Sequence, residues 1–178
     1  MTESNSITIT PATPADARGL VAVQKAGWLA TYPNQAAGIT AQDLLLKDFD
    51  SPQRIRAIEH RHAHQTTKRT WVAKLSTGQV VGFAGASSDE PKEILAMYVD
   101  PDFQGQGIGH QLMQTALDWL GPSSEIELHV VAYNDKAIKF YQGFGFIATG
   151  ATESLAGALP NGKILPEIKM VKTPAHAH

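Results

Sequence analysis

The sequence predicts an α/β (α+β) fold in which about seven strands form a sheet flanked by helices. Short runs with apolar residues at alternate positions are separated by segments with a helical repeat, and glycine and proline mark the turns. The chain has 178 residues, of which 43% are hydrophobic and 18% are charged. A chain of this size and composition buries a full core without metal or disulfide staples, so we expect one compact domain.

Composition excludes several classes of function. The absence of cysteine removes disulfide frameworks, zinc–thiolate sites and a cysteine nucleophile. A net charge of −2 argues against a broad nucleic-acid surface, and no apolar run reaches the length of a membrane span. The first residues also lack the basic-then-apolar pattern of a secretory signal. We therefore expect a cytoplasmic protein with neither nucleic-acid nor membrane partners.

The first half of the chain begins with a strand and continues with helices. The predicted strand covers residues 7–10 and the first helix begins at Pro14, because Thr13 is a good N-cap and proline suits the first helical position. After a loop over residues 30–38, one or two helices follow from Thr40 to about Gln65, with a division at Pro52.

The second half alternates strands with two helices. The prediction gives a hairpin over residues 69–75 and 80–85, a third strand over 93–99, a long helix over 108–120 and a further strand over 126–130. A short helix over 134–143 and two last strands over 144–149 and 164–171 follow. The helix over 108–120 has an apolar residue at every fourth position, as packing on a sheet requires. Pro166 predicts that the last strand lies at an edge or carries a bulge, because proline has no backbone N–H.

A glycine-rich turn joins the third strand to the long helix. Its residues are Gln104, Gly105, Gln106, Gly107, Ile108, Gly109 and His110. Glycines at a strand-to-helix turn let backbone amides approach an anion such as phosphate. The spacing matches neither the dinucleotide fingerprint, since His110 stands where a third glycine is needed, nor a P-loop. By itself the turn is explained equally well by a phosphate cradle and by a purely structural role.

The neighbours of this turn carry a family resemblance. The segment 97–101 followed by Gln104, Gly107 and Gly109 resembles motif A of the GNAT N-acetyltransferase superfamily, and the segment 134–146 is similar to its second signature. The two motifs cover residues 93–146, and the order of elements agrees over nearly the whole chain. The resemblance implies a mixed, mainly antiparallel central sheet, a single acetyltransferase domain over residues 1–172 and a loose tail over 173–178.

The resemblance also implies acetyl-CoA as the acetyl donor. In that family the pyrophosphate of coenzyme A lies on the amides of the glycine turn, and the pantetheine arm pairs with the end of the preceding strand. The corresponding strand residues here are Met97, Tyr98 and Val99. By the same resemblance, Asn134 would contact the pantetheine or phosphate arm, and Tyr141 would face the thioester sulfur. Gln104 stands where arginine is common, which leaves more of the anion binding to amides and the helix dipole.

Acetyl transfer to an amine requires a base, because an amine with a pKa near ~10.4 is protonated at neutral pH. Without cysteine, direct attack by the amine is the simpler route. Glu93 is the first candidate for the base. It lies eleven residues before Gln104, the same offset at which the histone-acetylating branch of the family carries its glutamate. Glu127 and His129 are the reserve candidates, and the alternative for Glu93 is an exposed residue at a strand end.

Tyr141 is the candidate acid, because a phenol with a pKa of ~10 keeps its proton at pH 7 and can donate it to the leaving thiolate. A backbone N–H near Met97 or Tyr98 would hold the oxyanion. Trp28 and Tyr32, four residues apart, either line the site of a cationic amine or belong to the core.

The leading hypothesis is an N-acetyltransferase acting on a primary amine of a small molecule or a peptide. A non-catalytic acyl-CoA sensor and an acyltransferase with a longer acyl group remain alternatives. The loop residues Asp89 and Glu90 either attract a cationic acceptor or are simply solvated. His60, His62 and His64 match no metalloprotease motif, so no metal is expected. A homodimer is left open.

Overall fold

The computed structural model describes residues 6–64, 66–152 and 158–174. Its strands are β1 (Thr8–Pro11), β2 (Lys68–Lys74), β3 (Val80–Ser87), β4 (Lys92–Val99), β5 (Ile126–Val131), β6 (Ile147–Thr152) and β7 (Glu167–Lys172). Its α-helices are α1 (Ala17–Thr31), α2 (Ala41–Leu45), α3 (Pro52–Ala63), α4 (Ile108–Leu120) and α5 (Asp135–Gly143). Gln65 and residues 175–178, which end the predicted helical region and the predicted tail, lie outside the described residues.

The seven strands form one sheet in the order β1-β2-β3-β4-β5-β7-β6. Every neighbouring pair is antiparallel except β4 and β5, which run parallel. The predicted fold class is therefore confirmed. The predicted hairpin is formed by β2 and β3, which pair from Lys68 with Ser87 to Lys74 with Val80.

The prediction of an edge position for the last strand is wrong. β7 lies inside the sheet, between β5 and β6. Pro166 is compatible with this position because it precedes the first residue of β7, and its carbonyl accepts a hydrogen bond from Ala132. The irregularity in the pairing of β6 with β7 falls between Ala148 and Thr152, on β6. A proline just before a strand removes no donor from its ladder.

The sheet opens between its two parallel strands. β4 pairs with β5 only over Lys92–Ile94, opposite Ile126–Leu128. On its other side, β4 carries a bulge at Leu95, because Ala86 pairs with Ile94 and Gly85 with Ala96. A bulge increases local bending and twist, so the rest of β4 turns away from β5. Backbone groups of β4 beyond Ile94 therefore face a gap rather than a neighbouring strand.

Helices α1 and α4 cover opposite faces of the sheet. Alternate residues of a strand point to opposite faces, and Trp71 packs in the same cluster as α4 whereas Val72 packs in the same cluster as α1. The apolar residues of α4 that recur every four positions, including Leu112 and Ala116, are fully buried. Within the residues described, no helix has both the length and the apolar character needed to cross a bilayer.

Candidate active site

A cavity of about 840 Å³ occupies the gap between β4 and β5. It is lined by β4, the glycine turn, α4, β5 and α5, and by residues of α1 and β7. The predicted site residues that line it are Trp28, Tyr32, Glu93, Met97, Tyr98, Val99, Gln104, Gly105, Gly107, Ile108, Gly109, His110, His129, Asn134 and Tyr141. Gln106 and the reserve base Glu127 are absent from its lining.

The glycine turn has the geometry of an anion cradle. Gly105 and Gly107 both have φ of +79°, which disfavours any residue with a side chain, and a Cβ at either position would meet no atom within 4 Å. The first helical hydrogen bond of α4 runs from the Gln111 amide to the Gly107 carbonyl. The three preceding helical amides, of residues 108–110, therefore have no partner in the helix and face the end where its dipole is positive.

Lys136 brings a positive charge to this turn. Its ammonium donates a hydrogen bond of 2.5 Å to the side-chain carbonyl of Gln104, whose amide in turn donates to the Val99 carbonyl. Asn134 fixes the start of α5 by accepting a hydrogen bond from the Ala137 amide, as predicted for an N-cap. Lys136 thus supplies a cation in the place where Gln104 lacks one, and the sequence analysis missed it.

Tyr141 is buried in the wall of the cavity, with 8% of its surface exposed. Burial raises the pKa of its phenol, and neighbouring Tyr98 raises it further. The group therefore stays protonated throughout the neutral range. Within the described part of the chain, the Tyr141 hydroxyl has no hydrogen-bond partner. A proton donor is thus available where the cavity is enclosed.

Glu93 and His129 lie side by side where the parallel pairing of β4 and β5 ends. The Nδ1 atom of His129 is 3.6 Å from Oε1 of Glu93, and both side chains are about one quarter to one third exposed, at 25% and 31%. Nε2 of His129 is buried without a hydrogen-bond partner among the described residues. Glu127, by contrast, forms an ion pair with Lys169. Two neighbouring groups that can accept a proton therefore face the cavity.

Two aromatic residues of α1 and the loop after it, Trp28 and Tyr32, belong to the core as well as to the wall of the cavity. Trp28 is 7% exposed, and its indole N–H donates a 2.9 Å hydrogen bond to the Tyr98 hydroxyl. Tyr32 packs edge-on against Trp28, with ring centroids 5.1 Å apart. The ammonium of Lys47 lies 4.5 Å from the centroid of the Trp28 ring. A cation from the protein itself therefore already occupies one indole face.

Lys47 and Glu167 also line the cavity, and the sequence analysis predicted neither. Burial lowers the pKa of Lys47, and the charge of Arg54 lowers it further. Burial raises the pKa of Glu167, whereas the charges of His129 and Lys47 oppose that shift. Neither residue stands in a recognisable motif. Only the folded arrangement of the α2–α3 loop with β7 brings these two charges to one cavity.

The metal prediction concerned three histidines at the C-terminal end of α3, of which His64 is the C-cap residue. His60 and His64 stack with ring centroids 4.4 Å apart, and Nδ1 of His64 lies 2.9 Å from the His60 carbonyl oxygen. In the described ranges no group of three or more histidine, aspartate or glutamate side chains is arranged to hold a metal ion. The expectation that the site uses no metal stays a prediction.

Known proteins resemble this chain in sequence over about half of its length. A match to the family model for the Acetyltransferase (GNAT) family covers residues 39–146. The peptidyl-lysine N-acetyltransferase YjaB of Salmonella typhimurium is 36% identical over 83 residues, which are 47% of this chain and 53% of that protein. The N-alpha-acetyltransferase RimI of Mycobacterium tuberculosis is 35% identical over 85 residues, 45% of this chain and 53% of its own length. The chain thus matches about half the length of these curated relatives.

Solved structures share the whole fold at lower identity. PaiA N-acetyltransferase from Thermoplasma acidophilum, solved in complex with coenzyme A, superposes with a TM-score of 0.70 at 20% identity over 94% of this chain and 99% of its own. At that identity the likeness concerns the fold. The match to the family model extends from residue 39 to residue 146, more than half of the chain, and includes both sequence motifs. This chain is a member of the GNAT acetyltransferase family.

Proposed function

We propose that this protein is an acetyl-CoA-dependent N-acetyltransferase that moves the acetyl group directly to a primary amine of a small molecule or a peptide. One observation carries the proposal. A single cavity is lined by the N-terminus of α4 at Gly107, whose free amides can bind an anion, and by the buried phenol of Tyr141. The same cavity is lined by two possible proton acceptors, Glu93 and His129. Binding of coenzyme A in structurally similar PaiA, and the acetyltransferase activities named for YjaB and RimI, support the same conclusion.

The glycine turn would hold the pyrophosphate of acetyl-CoA. The open space beside Gly105 and Gly107 leaves room for it, and the amides of residues 108–110 are free to donate to its oxygens. Lys136 adds the charge that Gln104 does not provide. The pantetheine arm would then follow the unpaired edge of β4 beyond Ile94, which leads it from the turn towards the centre of the cavity.

The chemical step balances with groups that line the cavity. The amine nitrogen attacks the thioester carbonyl carbon, the C–N bond forms, and an N–H of the β4 edge near Met97 or Tyr98 stabilises the oxyanion. The C–S bond then breaks, and the thiolate takes the proton of the Tyr141 hydroxyl. The products are an amide and coenzyme A with a free thiol. The ammonium form of the acceptor loses two protons to the base and solvent, one before the attack and one as the amide forms. One of them is balanced by the proton that Tyr141 recovers from solvent, and the other is released.

The base would be Glu93, assisted by His129. A proton taken by either group is stabilised by the other, because a protonated His129 would face the Glu93 carboxylate at 3.6 Å. The unpartnered Nε2 of His129 gives a second place for an amine proton or a bridging water. Glu127 has no part in this proposal, since it is paired with Lys169 outside the cavity lining.

Release of coenzyme A thiol tests the proposed function directly. Purified protein is mixed with acetyl-CoA and a panel of polyamines, aminoglycosides, free amino acids and peptides, and thiol release and acetylated product are both measured. The proposal predicts at least one acceptor for which one acetylated amine forms per thiol released. Tight acetyl-CoA binding without transfer to any acceptor would favour the acyl-CoA sensor instead.

Lys136→Met is expected to weaken acetyl-CoA binding by on the order of 10-fold, because it removes a cation from beside the pyrophosphate. Isothermal titration calorimetry measures the Kd. Lys139→Met is the matched control, since Lys139 is an exposed residue of the same helix that does not line the cavity. Equal Kd values for the two variants would remove Lys136 from the phosphate site.

Glu93→Gln is expected to lower kcat/KM at pH 7 by roughly 10- to 100-fold, because glutamine keeps the shape of the side chain but accepts no proton. The deficit should shrink as the pH approaches the pKa of the acceptor amine, where the amine arrives already neutral. Profiles of kcat/KM against pH measure this. If Glu93→Gln has wild-type activity at every pH, the base assignment moves to His129, which His129→Gln then tests.

A further inference from the structure

Two opposite charges, Lys47 and Glu167, line the cavity but do not pair with each other. Lys47 follows α2 and lies over the Trp28 ring, and Glu167 begins β7, opposite Val131. Among the residues that the structure describes, neither side chain forms an ion pair within 4.0 Å or donates or accepts a side-chain hydrogen bond. Both are half-buried. Removing a charged group from water costs free energy unless the group gains a partner of opposite charge or a hydrogen bond. A bound ligand could supply such partners to both side chains.

The cavity places these charges next to the reacting groups. Glu167 is close enough to His129 for the histidine charge to affect it, and its strand pairs with the same β5 that carries His129. Lys47 lies over the Trp28 ring and belongs neither to the glycine turn nor to the β4 edge that we assign to coenzyme A. An acceptor between Glu167 and Lys47 would therefore have one end beside the base and the other beside an ammonium.

From this arrangement we infer that the acceptor is a zwitterion, a free amino acid or similar amino-carboxylate, whose ammonium faces Glu167 and whose carboxylate binds Lys47. The inference rests on the proposed function and names its substrate class. The Lys47 ammonium has three N–H donors, and its contact with the face of Trp28 leaves donors free for a carboxylate. Trp28 and Tyr32 would pack against the apolar part of the acceptor.

The charges argue against the other amine classes. A polyamine carries no carboxylate, so it would bring further positive charge towards Lys47, whose pKa is already lowered by the charge of Arg54. A peptidyl lysine or a peptide N-terminus has a neutral amide where a free amino acid has its carboxylate, and it would leave Lys47 unpaired. A compound with one positive and one negative group satisfies Glu167 and Lys47 together.

The test compares free amino acids with the amines that lack their carboxylate, such as leucine with 3-methylbutylamine, together with spermidine and a lysine-containing peptide. In wild-type protein, kcat/KM should favour the best amino acid over its decarboxylated amine by at least on the order of 10-fold, since a charged hydrogen bond is at stake. Lys47→Met should bring that ratio towards one, mainly by raising KM for the amino acid. Lys139→Met should leave the ratio unchanged.

The ratio of kcat/KM values for the amino acid and its decarboxylated amine in wild-type protein tests the inference without any variant. Lys47→Gln provides a second variant should Lys47→Met fold poorly. A decarboxylated amine, spermidine or the peptide as the best acceptor would overturn the inference while the proposed function stands. So would a ratio that neither Lys47 variant changes. Absence of transfer to every acceptor would overturn the proposed function and the inference with it, and the two failures are therefore distinguishable.

Discussion

Tyr141→Phe is expected to lower kcat by about 10²-fold while leaving acetyl-CoA binding nearly unchanged. The substitution removes one hydroxyl, and that buried hydroxyl is the proposed donor of a proton to the leaving thiolate. Its pKa is raised by burial and by Tyr98, so wild-type protein carries the proton across the whole neutral range. Steady-state kinetics with a saturating acceptor and a calorimetric Kd for acetyl-CoA separate the two effects.

The stability of this variant serves as its control. The Tyr141 hydroxyl has no hydrogen-bond partner in the described residues, so its removal should change the free energy of unfolding by less than about 1 kcal/mol. Tyr133→Phe is a matched comparison, because the Tyr133 hydroxyl donates to the Tyr32 carbonyl and does not line the cavity. A kcat unchanged in Tyr141→Phe would mean that water protonates the thiolate and that Tyr141 only packs.

Gly107→Glu is expected to weaken acetyl-CoA binding by at least about 100-fold. The new carboxylate would stand where we propose that the pyrophosphate binds, so like charges would repel and the space would be filled. Calorimetry measures the loss, and circular dichroism reports whether the fold persists. Because Gly107 has φ of +79°, any side chain there also costs about 1–2 kcal/mol of backbone strain.

Gly78→Glu controls for that strain. Gly78 has φ of +86° in the hairpin between β2 and β3, has no atom within 4 Å of an added Cβ, and does not line the cavity. Gly78→Glu therefore carries a similar backbone strain, and its new side chain does not approach the proposed cofactor site. If both variants bind acetyl-CoA with wild-type affinity, the glycine turn is structural and the pyrophosphate lies elsewhere.

Much of the fold was predictable from local patterns. Alternation and turn residues correctly predicted β2 and β3, and Asn134 marked the start of α5, where it accepts the Ala137 amide. The two GNAT motifs predicted family membership, which the family model confirms. These features are local, because a strand repeat, a cap or a glycine turn depends on residues close together in the chain.

Other features depend on which strands become neighbours. Pro166 predicted a strand at an edge or with a bulge, yet β7 lies between β5 and β6, which is possible because the proline falls just outside its first residue. The assignments of the catalytic, cofactor and acceptor residues stay predictions, as do the boundary of the domain at residue 172, the cytoplasmic setting and a homodimer. What the structure adds is their arrangement, with all predicted site residues except Gln106 and the reserve base Glu127 lining one cavity.

The charges of the site were the least predictable part. Lys136 acts beside Gln104 although 32 residues separate them, and Lys47 and Glu167 meet from the α2–α3 loop and the last strand. A lone lysine or glutamate in sequence is usually a solvated surface residue. Only tertiary structure distinguishes one that lines a cavity from one that does not, and the long separations explain why no motif contained them.

A crystal structure of the protein with coenzyme A tests the central claim most directly. The account predicts that the pyrophosphate accepts hydrogen bonds from the amides of residues 108–110, with Lys136 beside it. It also predicts that the sulfur lies within about 3.5 Å of the Tyr141 hydroxyl. A pyrophosphate bound away from the glycine turn, or a sulfur remote from Tyr141, would contradict the account.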